Sequence, residues 1–118
     1  MAVALMSAGQ QDSAITKENG TYIVNTTTLT QNVEGYNGPV PVKLYIKKNK
    51  IEKVEILKNN ETPKYLAQVK KAMLNAWDGL TVKEAKNKQV DAVTGATFTS
   101  KALVENVQRG LDYYQKNK

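Results

Sequence analysis

The sequence predicts an α+β domain in which a small antiparallel sheet, built as a hairpin or meander, is covered by two main helices. Strand-like alternation is clearest over residues 40–57, and segments with helical spacing follow in the second half of the chain. With 118 residues, of which 41% are hydrophobic, the chain has enough apolar material for one modest core. It is too short for a second domain of similar size.

The first strand is predicted over residues 21–28, because this segment is rich in Thr, Tyr, Ile and Val. Residues 29–33 are expected to extend it or to pair with it. The sequence Asn-Gly-Pro at residues 37–39 then indicates a turn.

A hairpin follows this turn. Residues 40–47 alternate between apolar and polar side chains, and Pro41 indicates that the strand begins late or lies at a sheet edge. Asn49 is the best candidate for a left-handed residue in the tight turn, and residues 51–57 return as the partner strand. The side chains expected to face the core are Val42, Leu44, Ile46, Val54 and Ile56.

The first helix is predicted to begin with Thr62 as N-cap and Pro63 at its first position, and to end at Gly79. Trp77 fits its buried stripe, although a tryptophan could also stack on a planar ligand. Thr81 and Glu84 have the spacing of a capping box and predict a short helical turn. The buried stripe of the first helix is Leu66, Val69, Met73 and Ala76 or Trp77.

The last helix is predicted over residues 100–114, with one apolar stripe. Gly110 lies inside it, where glycine costs about 1 kcal/mol relative to alanine, so we expect close packing against a neighbouring element. The stripe consists of Leu103, Val107, Leu111 and Tyr114.

The composition narrows the possible functions. The chain contains no cysteine and no histidine, which excludes disulfides, thiolate and imidazole metal sites, and His-dependent catalytic triads. The protein therefore has no strong redox group of its own, and any redox role requires a bound cofactor. We assign neither catalytic residues nor a metal site.

The net charge of +6 comes from 17 Lys and Arg residues against 11 Asp and Glu residues. A basic chain raises the possibility of nucleic-acid binding, but Arg109 is the one arginine and the lysines are spread along the sequence. We therefore interpret the charge as a solvated lysine-rich surface and expect no nucleic-acid partner. Such a surface also attracts an anionic partner or a membrane surface.

Residues 1–8 form a short apolar run without charge, far too short to span a bilayer. The run is similar to the end of a secretory signal sequence that lacks its basic beginning. We expect residues 1–19 to be the remnant of a signal peptide or a flexible N-terminal segment, and residues 20–118 to be the functional domain. The signal interpretation predicts an extracytoplasmic location, in the periplasm or cell envelope.

Residues 91–100, with the sequence DAVTGATFTS, combine small and polar residue types that core packing does not require. Gly95 permits a positive φ, and Thr99 or Ser100 is expected to be the N-cap of the last helix. Thr97 then lies within one turn of a helix N-terminus, a favourable place for a phosphate. The alternative is that the segment is simply a turn and a cap.

The order of these ten residues resembles the flavinylation motif of FMN-binding domains, Asp-x-x-(Ser/Thr)-Gly-Ala-(Thr/Ser)-x-Thr-Ser. Such domains occur in the C subunit of the sodium-translocating NADH:quinone reductase, in the G subunit of Rnf-type electron transport complexes, and in related extracytoplasmic reductases. The segment Glu61, Thr62, Pro63 and Tyr65 is similar to a second recurring segment of the family, which lies near the flavin.

The resemblance implies a flavoprotein that carries one FMN and passes electrons between partner redox proteins, rather than a self-sufficient enzyme. In the family, a flavin transferase uses FAD and a divalent metal to attach FMN through its phosphate to the second Thr of the motif, which is Thr97 here, and it requires the Asp that corresponds to Asp91. The implied partners are this transferase, redox proteins and a membrane-associated electron transport complex. The implied cofactor-binding residues are Thr97, Asp91, Thr94, Gly95, Ala96, Phe98, Thr99, Ser100, Glu61 and Thr62.

Two alternatives remain open. The same loop could hold FMN without a covalent bond, as in some members of the family. The chain could also be a small secreted binding module without a cofactor, in which the motif is only a turn and a cap.

Overall fold

The computed structural model describes residues 14–118 and has the predicted α+β arrangement, a four-stranded antiparallel sheet with three helices. The strands follow one another in chain order, so the sheet is a simple meander. No helix in this part of the chain has the length and hydropathy needed to cross a membrane. The elements are β1 Ile15–Glu18, β2 Thr21–Asn25, β3 Val42–Lys47, β4 Lys50–Ile56, α1 Pro63–Met73, α2 Val82–Asn87 and α3 Thr97–Asn117.

Two-residue turns connect β1 to β2 and β3 to β4, and both residues of each turn have positive φ. The values are 51° and 83° for Asn19 and Gly20, and 52° and 64° for Lys48 and Asn49. Turns of this kind match the right-handed twist of the strands that they join. The prediction of a left-handed Asn49 is confirmed.

The core lies between one face of the sheet and the helices. Leu44 and Ile46 of β3 are fully buried there and pair with Val54 and Ile51 of β4. A bulge between Tyr45 and Ile46 shifts the register. The bulge places one extra residue in β4, so Ile51 and Val54 both face the core although they are three positions apart.

Helix α3 packs closely against the sheet at Gly110, as predicted. A Cβ atom at this position would lie 2.6 Å from Leu44 Cδ1 and 3.0 Å from Thr26 Cγ2. One turn earlier, the buried Asn106 carboxamide oxygen accepts hydrogen bonds from the hydroxyls of Thr26 (2.7 Å) and Thr30 (2.5 Å). Helix α3 is therefore held to β2 and to the segment that follows it.

The strand predictions need three corrections. Strand β1 lies upstream of residue 20, where the sequence predicted no strand, and pairs with β2 along its length. Residues 29–33 do not form a strand, because the chain turns here and the Thr30 N–H donates to the Thr26 carbonyl. Strand β2 ends at Asn25 rather than at residue 28. The late start of β3 after Pro41 is confirmed, and β3 lies inside the sheet between β2 and β4.

The helix boundaries also differ from prediction. Helix α1 begins at Pro63 as expected but ends at Met73, and turns lead from there to Gly79. Helix α3 begins at Thr97 with Ala96 as N-cap, so neither Thr99 nor Ser100 is the cap. Trp77 is fully buried in the core. The signal-like residues 1–8 lie outside the described residues.

Candidate functional site

The segment before α3 forms a tight turn that is closed by hydrogen bonds. The Ala96 N–H donates to the Val93 carbonyl (2.9 Å), and Gly95 has φ +87°, a conformation that favours glycine. The fully buried Ser100 hydroxyl donates to the Ala96 carbonyl (2.7 Å) and accepts from the Val93 N–H (3.0 Å). Ser100 therefore fastens both ends of the turn to the first turn of α3.

Thr97 is presented by this turn at the first position of α3, and its side chain is exposed. The first N–H groups of a helix have no acceptor within the helix, and the helix dipole places partial positive charge there. The first turn of α3 contains no acidic residue that would oppose an anion. The local structure thus offers an accessible hydroxyl at a position suited to a phosphate.

The motif hydroxyls differ in accessibility. Thr94 and Thr97 are exposed, whereas Thr99 and Ser100 are buried and bonded inside the protein. Asp91 is exposed and lines a different groove, together with Ser100, on another side of the start of α3. The structure therefore does not place the Asp91 carboxylate in one pocket with Thr97.

An open pocket of about 230 Å³ lies beside Thr97. Tyr36 and Phe98 are the two large hydrophobic side chains that are exposed among residues 14–118, at 60% and 63%, and both line this pocket. Their ring centroids are 6.4 Å apart with the planes inclined by 33°. The full lining is Tyr36, Tyr65, Gly95, Ala96, Thr97, Phe98 and Thr99.

Tyr36 is the site residue that sequence reasoning missed. It follows Gly35 in the connection between β2 and β3, which the sequence indicated only as a turn at residues 37–39. The ring of Tyr65 in α1 makes an edge contact with the ring of Tyr36, with 6.1 Å between the two centroids. An aromatic residue between two glycines, Gly35 and Gly38, was the available signal in the sequence. Nothing in the sequence indicates which element the Tyr36 ring contacts.

Glu61 lies beneath the pocket and is only 5% exposed. Its Oε1 accepts from the Tyr36 N–H (2.8 Å) and from the Thr99 hydroxyl (2.5 Å), and its Oε2 accepts from the Asn37 N–H (2.6 Å). A Cβ atom at Gly35 would collide with Oε1, so the connection passes directly over the carboxylate. Glu61 thus joins this connection to α3, and its carboxylate is engaged by the protein rather than directed at a ligand.

Thr62 occupies the predicted N-cap position of α1, but its side chain makes no capping hydrogen bond. Its hydroxyl lies 3.5 Å from Asn37 Nδ2, at the outer limit for a hydrogen bond. Thr62 is half-buried next to Glu61 and does not line the pocket.

Comparison with known proteins identifies relatives of the whole site. The sequence model of the FMN-binding domain matches residues 35–112, a range that contains every pocket residue. The chain is also 33% identical over 113 residues to the G subunit of the Na(+)-translocating ferredoxin:NAD(+) oxidoreductase complex from Acetobacterium woodii. That alignment covers 86% of this chain and 54% of the relative, so the chain spans about half the length of the curated relative that it matches.

Proposed function

Because this chain belongs to the family of FMN-binding domains, we propose that it is an electron carrier whose single FMN is attached to the Thr97 hydroxyl. FMN is the cofactor that family membership indicates. The observation that carries the proposal is the placement of Thr97, whose exposed hydroxyl stands at the first position of a 21-residue helix and on the wall of the aromatic pocket.

The residues present fit FMN. The N-terminal N–H groups of α3 provide donors for a phosphate, with no acidic side chain in the first turn. Tyr36 and Phe98 provide aromatic surface for the flavin ring. Gly95 lines the pocket and adds no side chain to it. The charge of Glu61 is compensated by three donors of the protein itself.

The bound flavin supplies the redox chemistry, because the chain has no cysteine or histidine to take part in it. The chain's own residues provide attachment, orientation and surroundings. A covalent tether through Thr97 prevents loss of the cofactor, which matters for a protein outside the cytoplasm. We propose that this protein is located in the periplasm or cell envelope.

Attachment needs a flavin transferase, with FAD as the donor. The Thr97 hydroxyl oxygen attacks the phosphorus of the FMN half, a phosphoester bond forms, and the anhydride bond to AMP breaks. AMP leaves, the hydroxyl proton passes to a base of the transferase, and no atom changes oxidation state. Asp91, exposed in the neighbouring groove, is accessible to the transferase as a recognition residue.

The partners that we propose are redox proteins of a membrane-associated electron transport complex. The support is the relative, which its name identifies as part of a complex. The exposed position of the pocket supports the same conclusion, because a partner can reach it without a change in the fold.

The first test is co-expression of the full chain with a flavin transferase, followed by intact mass and in-gel flavin fluorescence after denaturation. We expect wild type to fluoresce and to gain the mass of one FMN less one water. Thr97→Val should do neither, whereas Thr97→Ser keeps a hydroxyl and should still be modified. Thr16→Val, which removes an exposed hydroxyl from β1, is the matched control and should behave as wild type.

Each contrary outcome has its own meaning. A protein that is yellow when native but gives no flavin fluorescence in its band on the denaturing gel binds FMN without the bond to Thr97. A wild-type chain that stays unmodified and shows no binding in an FMN titration is a cofactor-free module. Modification of Thr97→Val would place the attachment at another residue.

A further inference from the structure

We propose that Tyr36 and Phe98 bind the isoalloxazine ring of the flavin, and that Glu61 is the positioning residue that sets the two aromatic rings relative to each other. The inference rests on the proposed function and deepens it, because it concerns the ring of the cofactor rather than the attachment of its phosphate. It assigns a role to Tyr36, and a role other than flavin contact to Glu61.

The first observation is the exposure of the two aromatic side chains. Tyr36 and Phe98 are more than half exposed, although large apolar side chains elsewhere among residues 14–118 are buried or half-buried. They come from different parts of the fold, one from the connection between β2 and β3 and one from α3, yet they lie side by side. Exposed apolar surface concentrated at one pocket is typical of a binding site.

The second observation is the spacing of the aromatic rings. The centroids of the Tyr36 and Phe98 rings are 6.4 Å apart with the planes inclined by 33°, so the two rings are neighbouring walls of the same pocket. Tyr65 meets the Tyr36 ring at 79°, an edge contact that limits its movement. The aromatic pair is therefore supported on one side and open on the other.

The third observation is the way in which Glu61 controls both aromatic side chains. Its Oε1 accepts from the backbone N–H of Tyr36 and from the hydroxyl of Thr99, the residue that follows Phe98. One oxygen atom is thus hydrogen-bonded to the backbone of Tyr36 and to the side chain of the residue that follows Phe98. A Cβ atom at position 35 would collide with this oxygen. Glycine at position 35 therefore allows the Tyr36 segment to lie directly over Glu61.

This arrangement explains how the flavin can be both held and accessible. The phosphate end is fixed at Thr97, and the ring end is held by side chains at the rim of an open pocket. A ring bound against exposed side chains lies at the protein surface, where a redox partner can approach it.

The test uses the FMN-loaded full chain and compares native flavin fluorescence with that of the same sample after denaturation, together with fluorescence anisotropy. Stacking on tyrosine quenches flavin emission and restricts the ring. We expect Tyr36→Leu to raise the native fluorescence about 2- to 10-fold, because the quenching tyrosine is lost. Both Tyr36→Leu and Phe98→Leu should lower the anisotropy, because each removes an aromatic contact with the ring. Intact mass should still show one FMN per chain.

The control variant is Tyr45→Leu, which removes a tyrosine from β3 that does not line the pocket and should leave both signals unchanged. Glu61→Gln should raise the native fluorescence as Tyr36→Leu does, although Glu61 does not line the pocket. If it does not, the positioning role of Glu61 is wrong while the binding role of the aromatic pair stands.

The remaining outcomes separate this inference from the proposed function. If the loaded chain carries one FMN and both aromatic variants match wild type, ring binding by Tyr36 and Phe98 is overturned and the carrier function is untouched. If wild type carries no FMN and binds none, the proposed function fails, and ring binding fails with it.

Discussion

At the scale of single residues, Glu61 joins two parts of the site that are far apart in the sequence. A buried carboxylate is unfavourable unless hydrogen bonds replace its water shell. Here two backbone N–H groups and one hydroxyl do so, at 2.5–2.8 Å. The charge-assisted bonds tie the connection before β3 to the start of α3, so the shape of the pocket depends on this one side chain.

Replacing Glu61 by Gln should lower the free energy of unfolding by about 1–3 kcal/mol. The amide group of Gln has one oxygen and one NH2 group, so one of the buried donors would face another donor. Urea unfolding of the unloaded protein measures the effect. Glu52→Gln, a change of the same kind at an exposed position of β4, is the control, and equal losses in the two variants would contradict the role of Glu61.

At this scale, part of the candidate site follows from the sequence. The order of residues 91–100 is enough to propose Thr97 as the attachment residue, because the motif is local. Tyr36 was missed because its place depends on a bond to Glu61, 25 residues away. Glu61 was predicted to bind the cofactor, and its burial and its three donors support the positioning role that we propose for it.

At the scale of elements, the start of the short helix α2 is fixed by a capping box that the sequence predicts. The capping box predicted at Thr81 and Glu84 is confirmed, with the Glu84 N–H donating to Thr81 Oγ1 (3.1 Å) and the Thr81 N–H donating to Glu84 Oε1 (2.9 Å). The Val82 N–H bonds to the Asn49 carbonyl (3.0 Å). The cap therefore fixes α2 against the turn between β3 and β4.

The capping box makes the stability of this region depend on pH. The backbone N–H of Thr81, with a further contribution from the Thr81 side chain, lowers the pKa of the Glu84 carboxyl below its ordinary value of 4.5. A lowered pKa in the folded state means that the stabilisation is fully present above the unfolded value and is lost as the pH falls through the folded value. We expect wild type to exceed Glu84→Gln in stability at pH 6 and the difference to shrink at pH 3. Urea unfolding at both values measures it, and an unchanged difference would contradict the charge-assisted cap.

Elements with strong local signals were predictable, and elements that depend on distant contacts were less so. Pro63 and the alternation of β3 placed α1 and the central hairpin correctly at their starts. Strand β1 is short and largely exposed, so it carries no apolar alternation to detect. The start of α3 was predicted too late because Thr99 and Ser100 look like caps, whereas their hydroxyls bond to Glu61 and to the Ala96 carbonyl.

For the molecule as a whole, the candidate site is built entirely from contacts within the chain. The turn at residues 93–96 is closed by its own hydrogen bond and by Ser100, and the aromatic side of the pocket is fixed by Glu61. Helix α3, which carries Thr97, is packed against β2, β3 and α1, with its close approach to the sheet at Gly110. The protein should therefore fold first and receive its flavin afterwards, on a site that already exists.

This order predicts that the unloaded chain protects the amide of Val93 from hydrogen exchange as well as the loaded chain does. Replacing Ser100 by Ala removes the acceptor of that amide, and local opening should speed its exchange about 10-fold, which corresponds to about 1.4 kcal/mol. The transferase should then load Ser100→Ala more slowly, because the turn that presents Thr97 is no longer fixed. Thr16→Ala, which removes an exposed hydroxyl from β1, is the control and should match wild type in both measurements. Protection of Val93 that appears only after loading would show instead that the flavin organises the turn, and the site would then form during modification rather than before it.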